Sequence, residues 1–464
     1  MKLQKTKYDK SLFIFRRDFR VSDNTALINA LKDSNVVIPI FIFTPEQIVK
    51  NTYKSNNSVQ FMIESLKDLE KQLKKNGGKL YYFYGSPSNV ITKIIKNEKI
   101  DALFLNMDYT PYSIKRDKKI EKICKRNKIS FNSFDDITLH KIGSIQTDSL
   151  TVYTKFTPYF NKAKKIPVGI PNYLSNNYNN YYTRKIEYPS FNKPYKDMYK
   201  FNDKLWQNGG REIGLKILHK INLQKKYNKT RNDLSRETTN LSAFLKYGCL
   251  SIREVYHYMI RKLGKKNDLI KQLHWRDFYY NIMYAYPYVI KSNLKPQYNK
   301  LKWNNNKIWL DKWKKGETGF PIVDAGMRQL NTTGYMHNRA RLITCSFLIK
   351  LLHIDWRFGE KYFSQKLYDI DLSQNNGNFG WVSSTGADSQ PYFRIFNPWA
   401  QSIKHDINCN YIKKWIPELA DIDNIDIHNW YKTFHKYTDI KYPKPIINYE
   451  IERKKAIIMY KRIF

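Results

Sequence analysis

The sequence has few cysteines and no long apolar run. Only four of its 464 residues are cysteine, at positions 124, 249, 345 and 409, and none of them form a CxxC pair. This spacing argues against a zinc site and against a disulfide framework. No run of about 18 apolar residues occurs, and the apolar stretch at residues 11–15 is too short for a signal-peptide core. We therefore expect a soluble intracellular protein, in cytoplasm or nucleus, without a membrane span.

Acidic residues and phosphate-binding glycine motifs are also scarce. Neither GxGxxG nor GxxxxGK[ST] occurs in the first 135 residues, so the loops that cradle phosphates in dinucleotide and NTP binders are missing. The 41 Asp and Glu residues face 81 Lys and Arg residues, a net charge of +40. Such a surplus draws a chain towards polyanions, and nucleic acid is the natural partner. An AT-rich coding sequence would also enrich Lys, so the charge supports nucleic-acid binding without identifying it.

The first 135 residues alternate between two hydrophobic patterns. Runs with apolar residues on both faces, typical of buried strands, lie at residues 11–15, 35–43, 79–84 and 100–107. Amphipathic stretches with helical spacing lie at residues 59–73, 89–97 and 114–126. This alternation predicts βαβ units and a doubly wound parallel sheet covered on both faces, in a domain of residues 1–135.

Two further regions follow. Residues 136–205 are dominated by Asn, Tyr, Lys and Pro, which predicts a long surface linker without helix or strand. From Trp206 onward helical patterns prevail, and all ten tryptophans lie there. Gly248, Gly264 and Gly359 stand where helices are expected to stop. The predicted fold class is therefore α/β plus all-α, with a helical domain at residues 206–464.

The helical region contains polar residues at core spacing. They are Asp324, Arg328, His337, Asn338, Arg339 and Arg341, and YDIDLSQNNGNFGW follows with two more carboxylates. Buried polar groups need partners, so the cluster is either a satisfied internal network or a polar ligand site. Upstream, Thr238, Thr239 and Ser242 stand at the mouth of a predicted helix. Hydroxyls there either cap free N–H groups or share the helix end with a phosphate.

Taken together, the motifs resemble the photolyase/cryptochrome family. SLFIFRRDFRVSDNTAL is similar to its first strand and turn. Its flavin-domain motifs are matched in order by TTNLSAFLKYGCLSIRE, QLHWRDFY, GETGFPIVDAGMRQL, GYMHNRAR, IDWRFGEKYF, DIDLSQNNGN and PYFRIFNP. The resemblance is to class I photolyases that repair cyclobutane pyrimidine dimers, and it is weakest over residues 136–225. It implies an α/β domain linked to a helical domain that buries FAD.

Residue by residue, the resemblance implies a flavin site. Arg341 and Asp369 would form an ion pair against the isoalloxazine ring, with Asp371 near its polar edge and Asn375 opposite the flavin N5. A buried Arg–Asp pair costs desolvation, so it makes sense where it also fixes and tunes a charged ring. The phosphates and ribityl chain would lie against Tyr227, Thr238, Thr239, Leu241 and Ser242.

The resemblance also implies a site for UV-damaged DNA. Trp275 and Trp381 resemble two indoles that hold a flipped-out lesion, and Gln272 and Asn338 occupy lesion-contacting positions. The distorted backbone would be contacted by Arg231, Arg339 and Arg394. The implied reaction is light-driven repair by electron transfer from photoexcited reduced FAD. We expect a monomer with no obligate protein partner.

Two lesion-contacting positions depart from the family's pattern. Dimer-splitting members carry Glu where this chain has Gln272, and Met where it has Leu342. Members that repair (6-4) photoproducts also carry Gln, but with two His at the positions of Asn338 and Leu342. Dimer repair therefore stays favoured. A (6-4) photolyase, a cryptochrome-like blue-light photoreceptor and a DNA-binding protein that has lost its chemistry are the alternatives.

A third departure concerns electron transfer. Trp303 and Trp356 match the outer residues of a three-Trp relay, whereas Phe379 stands in place of the flavin-proximal Trp. Since Phe is much harder to oxidise than Trp, we expect slow or absent light-driven FAD reduction unless a nearby Tyr substitutes.

A second, antenna chromophore in relatives is a folate or a deazaflavin. Asp108 and Lys291 fall near folate-associated positions, but Ile290 replaces the accompanying Cys. The identity of an antenna chromophore therefore stays open.

Overall fold

The computed structural model describes residues 6–174, 178–186 and 195–463. Its N-terminal half contains one sheet, whose strands are β1 (Tyr8–Phe15), β2 (Ser34–Phe43), β3 (Tyr81–Tyr84), β4 (Ala102–Asn106) and β5 (Ser130–Phe134). All neighbouring strands are parallel, in the order β3-β2-β1-β4-β5. Helices stand between the strands: α1 (Thr25–Asp33), α2 (Pro45–Ile48), α3 (Asn56–Lys75), α4 (Pro87–Glu98) and α5 (Pro111–Arg126). The predicted doubly wound parallel sheet is confirmed.

Both faces of this sheet are buried, as the apolar runs require. Along β1, Phe13 and Phe15 point into a core that also contains Phe244 of the helical half, so this face packs against the other domain. The alternate residues Leu12 and Ile14 point into a second core, closed by helices α4 and α5. Strand β5 was not predicted, because its polar, partly exposed sequence SFNSF lacks the apolar run of a central strand.

The prediction that residues 136–205 contain no helix or strand is wrong. Helix α6 (Phe156–Ala163) lies there, and isolated bridges pair Gln146 with Val152 and Val37 with Tyr181. Helix α6 has only two turns, and it buries Phe156, Tyr159 and Ala163 on one side. This short apolar pattern is hard to recognise among the surrounding Asn, Tyr and Lys residues. Residues 175–177 and 187–194 lie outside the described part of the chain. The domain boundaries after residues 135 and 205 stay a prediction.

Residues 206–463 form helices and loops, as predicted. The helices are α7 (Arg211–His219), α8 (Tyr227–Thr230), α9 (Ser242–Lys246), α10 (Ile252–Leu263), α11 (Asp268–Ala285), α12 (Lys307–Lys315), α13 (Pro321–Thr333), α14 (Asn338–Ser346), α15 (Trp356–Lys366), α16 (Leu372–Val382), α17 (Pro398–His405), α18 (Asn410–Trp415), α19 (Asn424–His428), α20 (Trp430–Thr433) and α21 (Tyr449–Lys461). Helix α14 continues into a π-helical turn at Phe347–Leu351. Among the described residues, no helix has the length and apolar character needed to cross a membrane.

The three glycines expected at helix ends behave differently. Gly264 ends α10 with φ of 83°, and Gly248, with φ of 63°, lies just beyond α9. The prediction for Gly359 is wrong, because this residue lies inside α15. A Cβ there would stand 2.5 Å from Leu348 and 2.8 Å from Phe379. Gly359 therefore allows α15 to pack closely against its neighbours.

Candidate functional site

A cavity of about 300 Å³ lies between α9, α11, α14 and α16 in the helical half. Eleven residues singled out in the sequence line it: Thr239, Leu241, Ser242, Gln272, Asn338, Arg341, Leu342, Asp369, Asp371, Asn375 and Phe379. They come from several separate segments between residues 239 and 379. Motifs that are scattered along the sequence therefore converge on one site.

Helical spacing explains which side chains reach the cavity. On α14, Asn338, Arg341, Leu342 and Cys345 follow an i, i+3, i+4, i+7 pattern and line it with one face. This helix begins where the His337 ring nitrogen accepts a hydrogen bond from the Arg339 backbone N–H at 3.1 Å. The cap thus fixes the start of the helix and the direction of its cavity-facing side.

An ion pair crosses the cavity wall. The Arg341 guanidinium lies 3.0 Å from the Asp369 carboxylate, which also accepts a 2.6 Å hydrogen bond from the Ser242 hydroxyl. A third contact, from Arg341 Nε to the Met336 carbonyl at 2.8 Å, holds the guanidinium from the other side. Burial opposes the charge of Arg341, but Asp369 outweighs it and raises the arginine pKa. Both charges are therefore fixed in place before any ligand binds.

Asp371 joins the cavity to the α/β half of the molecule. Its carboxylate caps α16 by accepting hydrogen bonds from the backbone N–H groups of Ser373 and Gln374. It also accepts short bonds from Arg17, which follows β1, and from the Tyr280 hydroxyl. Burial raises the pKa of Asp371, but the charges of Arg17 and other arginines outweigh it and hold this pKa at about 2. Asp371 is thus a fixed anion at the boundary of the two domains.

Asn375, one turn into α16, is anchored by its amide group. Its Nδ2 donates to the Glu360 carbonyl at 3.0 Å and to the Ser364 hydroxyl at 3.1 Å. Burial raises the pKa of the neighbouring Glu360 carboxyl to about 7. The sequence analysis missed Glu360, although it lies in the quoted motif IDWRFGEKYF.

The two indoles predicted to hold a lesion lie outside the wall of this cavity. Trp275 is part-buried on α11, and Phe156 of α6 stacks on it with ring centroids 3.7 Å apart and planes 9° apart. Trp381 is part-buried on α16, two residues beyond the cavity-lining Phe379. Helices α11 and α16 pack tightly, since a Cβ on Gly377 would meet the Tyr279 ring at 2.1 Å. The two indoles therefore lie on two closely packed helices.

The three arginines predicted to bind DNA occupy two places. Arg339 donates to the Asn232 side chain at 2.7 Å. Burial and then the nearby charge of Arg231 lower the pKa of Arg339. Arg394 is exposed in the loop between α16 and α17. The structure therefore brings Arg231 and Arg339 together, while their roles stay a prediction.

The predicted relay residues run from the surface to the cavity. Trp303 is part-exposed, Trp356 is buried, and Phe379 lines the cavity. The segments that carry the two tryptophans are joined by a hydrogen bond from Asn304 N to the His353 carbonyl at 2.9 Å. Phe379 packs against Gly359, one turn beyond Trp356. A Phe thus stands between the tryptophans and the cavity, and the predicted interruption of electron transfer stays a prediction.

The sequence left open whether the polar cluster between Asp324 and Arg341 is an internal network or a ligand site, and its contacts now distinguish the two. Asp324 belongs to an internal network, since it accepts bonds from Thr318, Gly319 and the Tyr442 hydroxyl. Arg328 pairs with Glu418 at 2.8 Å. The polar cluster is therefore partly structural and partly, through Asn338 and Arg341, a cavity wall.

The predicted hydroxyls at the start of α9 differ in position. Helix α9 begins at Ser242 without a side-chain capping bond. Thr239 lines the cavity, whereas Thr238 and the buried Tyr227 do not form part of its wall. Simple helix capping therefore does not explain these hydroxyls.

A second cavity of about 530 Å³ opens at the carboxyl ends of β1 and β2. This is the sheet edge at which open α/β folds bind ligands, so it was predictable in principle from the strand pattern. Asp108 and Ile290 line it, and Asp108 is paired with Arg17 at 3.2 Å. Lys246, Ile370 and Asp371 line both cavities. Burial and the charge of Arg17 lower the pKa of Lys246 to about 7.

The first cavity fits the flavin that the sequence resemblance implies. An isoalloxazine ring has apolar faces and a polar edge, and the wall offers both kinds of surface. Apolar contact comes from Leu241, Leu342 and Phe379, whereas the ion pair of Arg341 and Asp369 supplies fixed charge.

Comparisons with known proteins agree with this geometry. A family model described as DNA photolyase matches residues 11–172, and one described as FAD binding domain of DNA photolyase matches residues 269–462. A deoxyribodipyrimidine photo-lyase of Buchnera aphidicola subsp. Baizongia pistaciae is 37% identical, over 97% of this chain and 98% of that protein. The Escherichia coli protein of the same name is 31% identical, over 96% of this chain and 97% of that protein.

Solved structures give a matching result. The archaeal photolyase of Sulfolobus tokodaii, which contains two FAD molecules, superposes with a TM-score of 0.87 and 38% identity, over 98% of this chain and 100% of that chain. The Synechocystis cryptochrome superposes with a TM-score of 0.90 and 25% identity, over 98% of this chain and 100% of that chain.

Proposed function

The chain belongs to the DNA photolyase family, and from that premise we propose that it cleaves cyclobutane pyrimidine dimers in UV-damaged DNA. It is a light-dependent carbon–carbon lyase with FAD as its cofactor. Support comes from relatives named deoxyribodipyrimidine photo-lyase that match nearly the whole chain. The FAD-binding family model covers most of the helical half, where the first cavity lies.

Four side chains of the first cavity are suited to hold the flavin ring. We assign Arg341 and Asp369 to the ring as a fixed ion pair, Asp371 to its polar edge and Asn375 to N5. Because each is already hydrogen-bonded within the protein, little reorganisation is needed when the ring binds. The chemistry that FAD supplies when bound is light-driven transfer of one electron to the dimer, cleavage of its two cyclobutane bonds and return of the electron.

The damaged bases would enter beside the flavin. We assign Gln272 and Asn338, whose side chains line the same cavity, to hydrogen bonds with the bases. Trp275 and Trp381 would stack on the lesion, and stacking offsets part of the cost of flipping it out of the duplex. Arg231, Arg339 and Arg394 would bind phosphates.

The observation that carries this proposal is the presence of Gln272, Leu342 and the Arg341–Asp369 pair in one cavity. A lesion held by Gln272 would therefore be close to the flavin. Neither Asn338 nor Leu342 is a histidine, which favours dimer repair over repair of (6-4) photoproducts.

The test is a repair assay on defined lesions. The reduced protein is incubated with a thymine-dimer oligonucleotide under near-UV or blue light, with a dark control and a matched (6-4) oligonucleotide. We expect restored thymines only in the light and only from the dimer. Repair of the (6-4) lesion alone would establish that alternative. Tight dimer binding without repair, despite bound FAD, would indicate lost chemistry, and no preference for damaged DNA would indicate a photoreceptor.

We also propose that the second cavity holds a light-harvesting chromophore with a flat ring. Its position at the strand ends and its shared wall with the first cavity would bring two chromophores close together. Asp108, which the resemblance associates with folate, is already bonded to Arg17 and Ser113, and the similar archaeal photolyase contains two FAD molecules, so we favour a flavin-type ring over a folate. Chromatography of the chromophores released from native protein tests this. Recovery of FAD alone, in a single equivalent, would contradict the proposal.

A further inference from the structure

The indole of Trp275 has one face covered by a residue of the linker. Phe156, the first residue of α6, is 4% exposed and lies parallel to the indole with centroids 3.7 Å apart. Two other rings touch the indole at 5.6 Å, Phe278 edge-on and Tyr279 at a tilt of 35°. No described ring lies parallel to the opposite face. The indole is part-buried, and Phe156 is the one described ring stacked parallel to it.

The position of Phe156 is fixed by the loop that follows α16. The Phe156 backbone N–H donates to the Asp388 carboxylate at 3.0 Å, and the Asp388 backbone N–H donates to the Thr154 carbonyl at 2.8 Å. Asp388 has φ of 48°, a left-handed conformation that costs energy in a residue other than glycine. The two hydrogen bonds with Thr154 and Phe156 stabilise this conformation.

The reciprocal bonds connect the elements that carry both indoles. Trp275 lies on α11, while Asp388 is seven residues beyond Trp381 on the chain that leaves α16. Ala387, next to Asp388, packs in the same buried cluster as Phe156 and Phe278. The linker segment 154–156 thus contacts α11 through the Phe156 ring and the loop after α16 through its backbone.

We infer that Phe156, held by Asp388, is a positioning residue for the lesion: it fixes the plane of Trp275 so that the indole face opposite Phe156 stacks on a damaged base. This inference rests on the proposed repair function. Parallel stacking stabilises the indole orientation, and without it the side chain would have to be ordered when the lesion binds. The segment predicted to be a surface linker would then position the indole that stacks on the lesion.

The test compares two substitutions on the same helix. Phe156→Leu removes the ring on Trp275, whereas Phe160→Leu removes a ring that stacks on Phe156 at 5.7 Å without forming the contact with the indole. For Phe156→Leu we expect affinity for a thymine-dimer oligonucleotide in the dark to fall roughly 3- to 10-fold. Affinity for undamaged DNA, flavin content and the repair rate at saturating dimer should not change. Phe160→Leu should have a smaller effect on dimer affinity.

Unchanged dimer affinity in Phe156→Leu would overturn the inference. Increased affinity would overturn it too, because it would mean that Phe156 shields the face a base needs. If the leucine variant does not fold, Asp388 gives a second route. Asp388→Asn keeps an acceptor for the Phe156 N–H and should bind the dimer like the wild type, whereas Asp388→Ala should bind more weakly.

Trp275→Leu separates this inference from the proposed function. If Trp275→Leu weakens dimer binding and Phe156→Leu does not, the positioning role is wrong and the lesion site stands. If Trp275→Leu also has no effect, the assignment of the indole to the lesion is itself wrong.

Discussion

Two groups of residues that line the first cavity are built differently: the flavin wall, which is Arg341, Asp369 and Asn375, and the lesion rim, which is Gln272 and Asn338. In the wall, Arg341, Asp369 and Asn375 each have hydrogen-bond partners within the protein. At the rim, within the described part of the chain, the side chains of Gln272 and Asn338 form no hydrogen bond. The wall is therefore organised by the fold, whereas the rim keeps donors and acceptors for a ligand.

The largest effect is expected in the wall. Asp369→Ala leaves the Arg341 guanidinium, which is only part-buried, without its carboxylate, so we expect a cost of about 2–3 kcal/mol, between that of an exposed pair and that of a fully buried one. We expect the free energy of unfolding, measured with denaturant, to fall by that amount. Bound flavin should be lost as well. Asp311→Ala is the matched control, because Asp311 and Lys315 form an exposed pair that should contribute at most about 1 kcal/mol. Equal losses in the two variants would contradict the distinction between wall and surface.

A pH experiment tests the fixed charge of Asp371. The folded-state pKa of about 2 is below the usual value near 3.9, so the carboxylate stabilises the fold above about pH 4. This contribution, roughly 2 kcal/mol, is lost as the pH falls from about 4 towards 2. The difference in unfolding free energy between wild type and Asp371→Asn should therefore shrink over that range. A difference that does not depend on pH would mean that Arg17 does not hold the charge.

Phe379→Trp would complete the predicted relay. We expect light-driven flavin reduction with an external thiol to change from slow to rapid. Because the larger ring is forced against Gly359, the protein should lose about 1–3 kcal/mol of stability. Adding Trp356→Phe should abolish the gain. Rapid reduction in the wild type that survives loss of Trp356 and Trp303 would reveal another route, and rapid reduction lost with them would show that the gap is misplaced.

The smallest effect is expected at the rim. Gln272→Ala should weaken dimer binding by roughly 2- to 10-fold, the contribution of a hydrogen bond, and leave stability within about 0.5 kcal/mol. Binding is measured in the dark. Gln365→Ala, which removes an amide bonded to Thr52 on the far side of α15, should not affect dimer binding. Loss of flavin from Gln272→Ala would show that the rim and the wall are not separate.

Much of the fold follows from hydrophobic pattern, and the exceptions have physical causes. The central strands are apolar on both faces because helices or the helical half cover them. Strand β5 was not predicted because Ser130, Asn132 and Ser133 give it the polar composition of a strand at the edge of a sheet. Helix α6 was not predicted because its two turns are too short to show a helical repeat of apolar residues.

The residues of the site could be predicted only where they lie in, or one helical turn from, a recognisable motif. Arg276 could have been found, since it lies one turn from Gln272 on α11 and lines the same cavity. Arg17 could not, because its contact with Asp371 joins residues 354 apart and depends on how the two domains pack. The same holds for Phe156, whose ring meets Trp275 from a segment without a recognisable motif.

The central claim is that a flavin and a damaged base meet in one cavity. The most direct test is the excited-state lifetime of the bound reduced flavin, measured with a thymine-dimer oligonucleotide and with its undamaged counterpart. We predict a shorter lifetime with the dimer alone, because electron transfer to the lesion competes with fluorescence. The same lifetime with both oligonucleotides, at saturating DNA, would contradict the account.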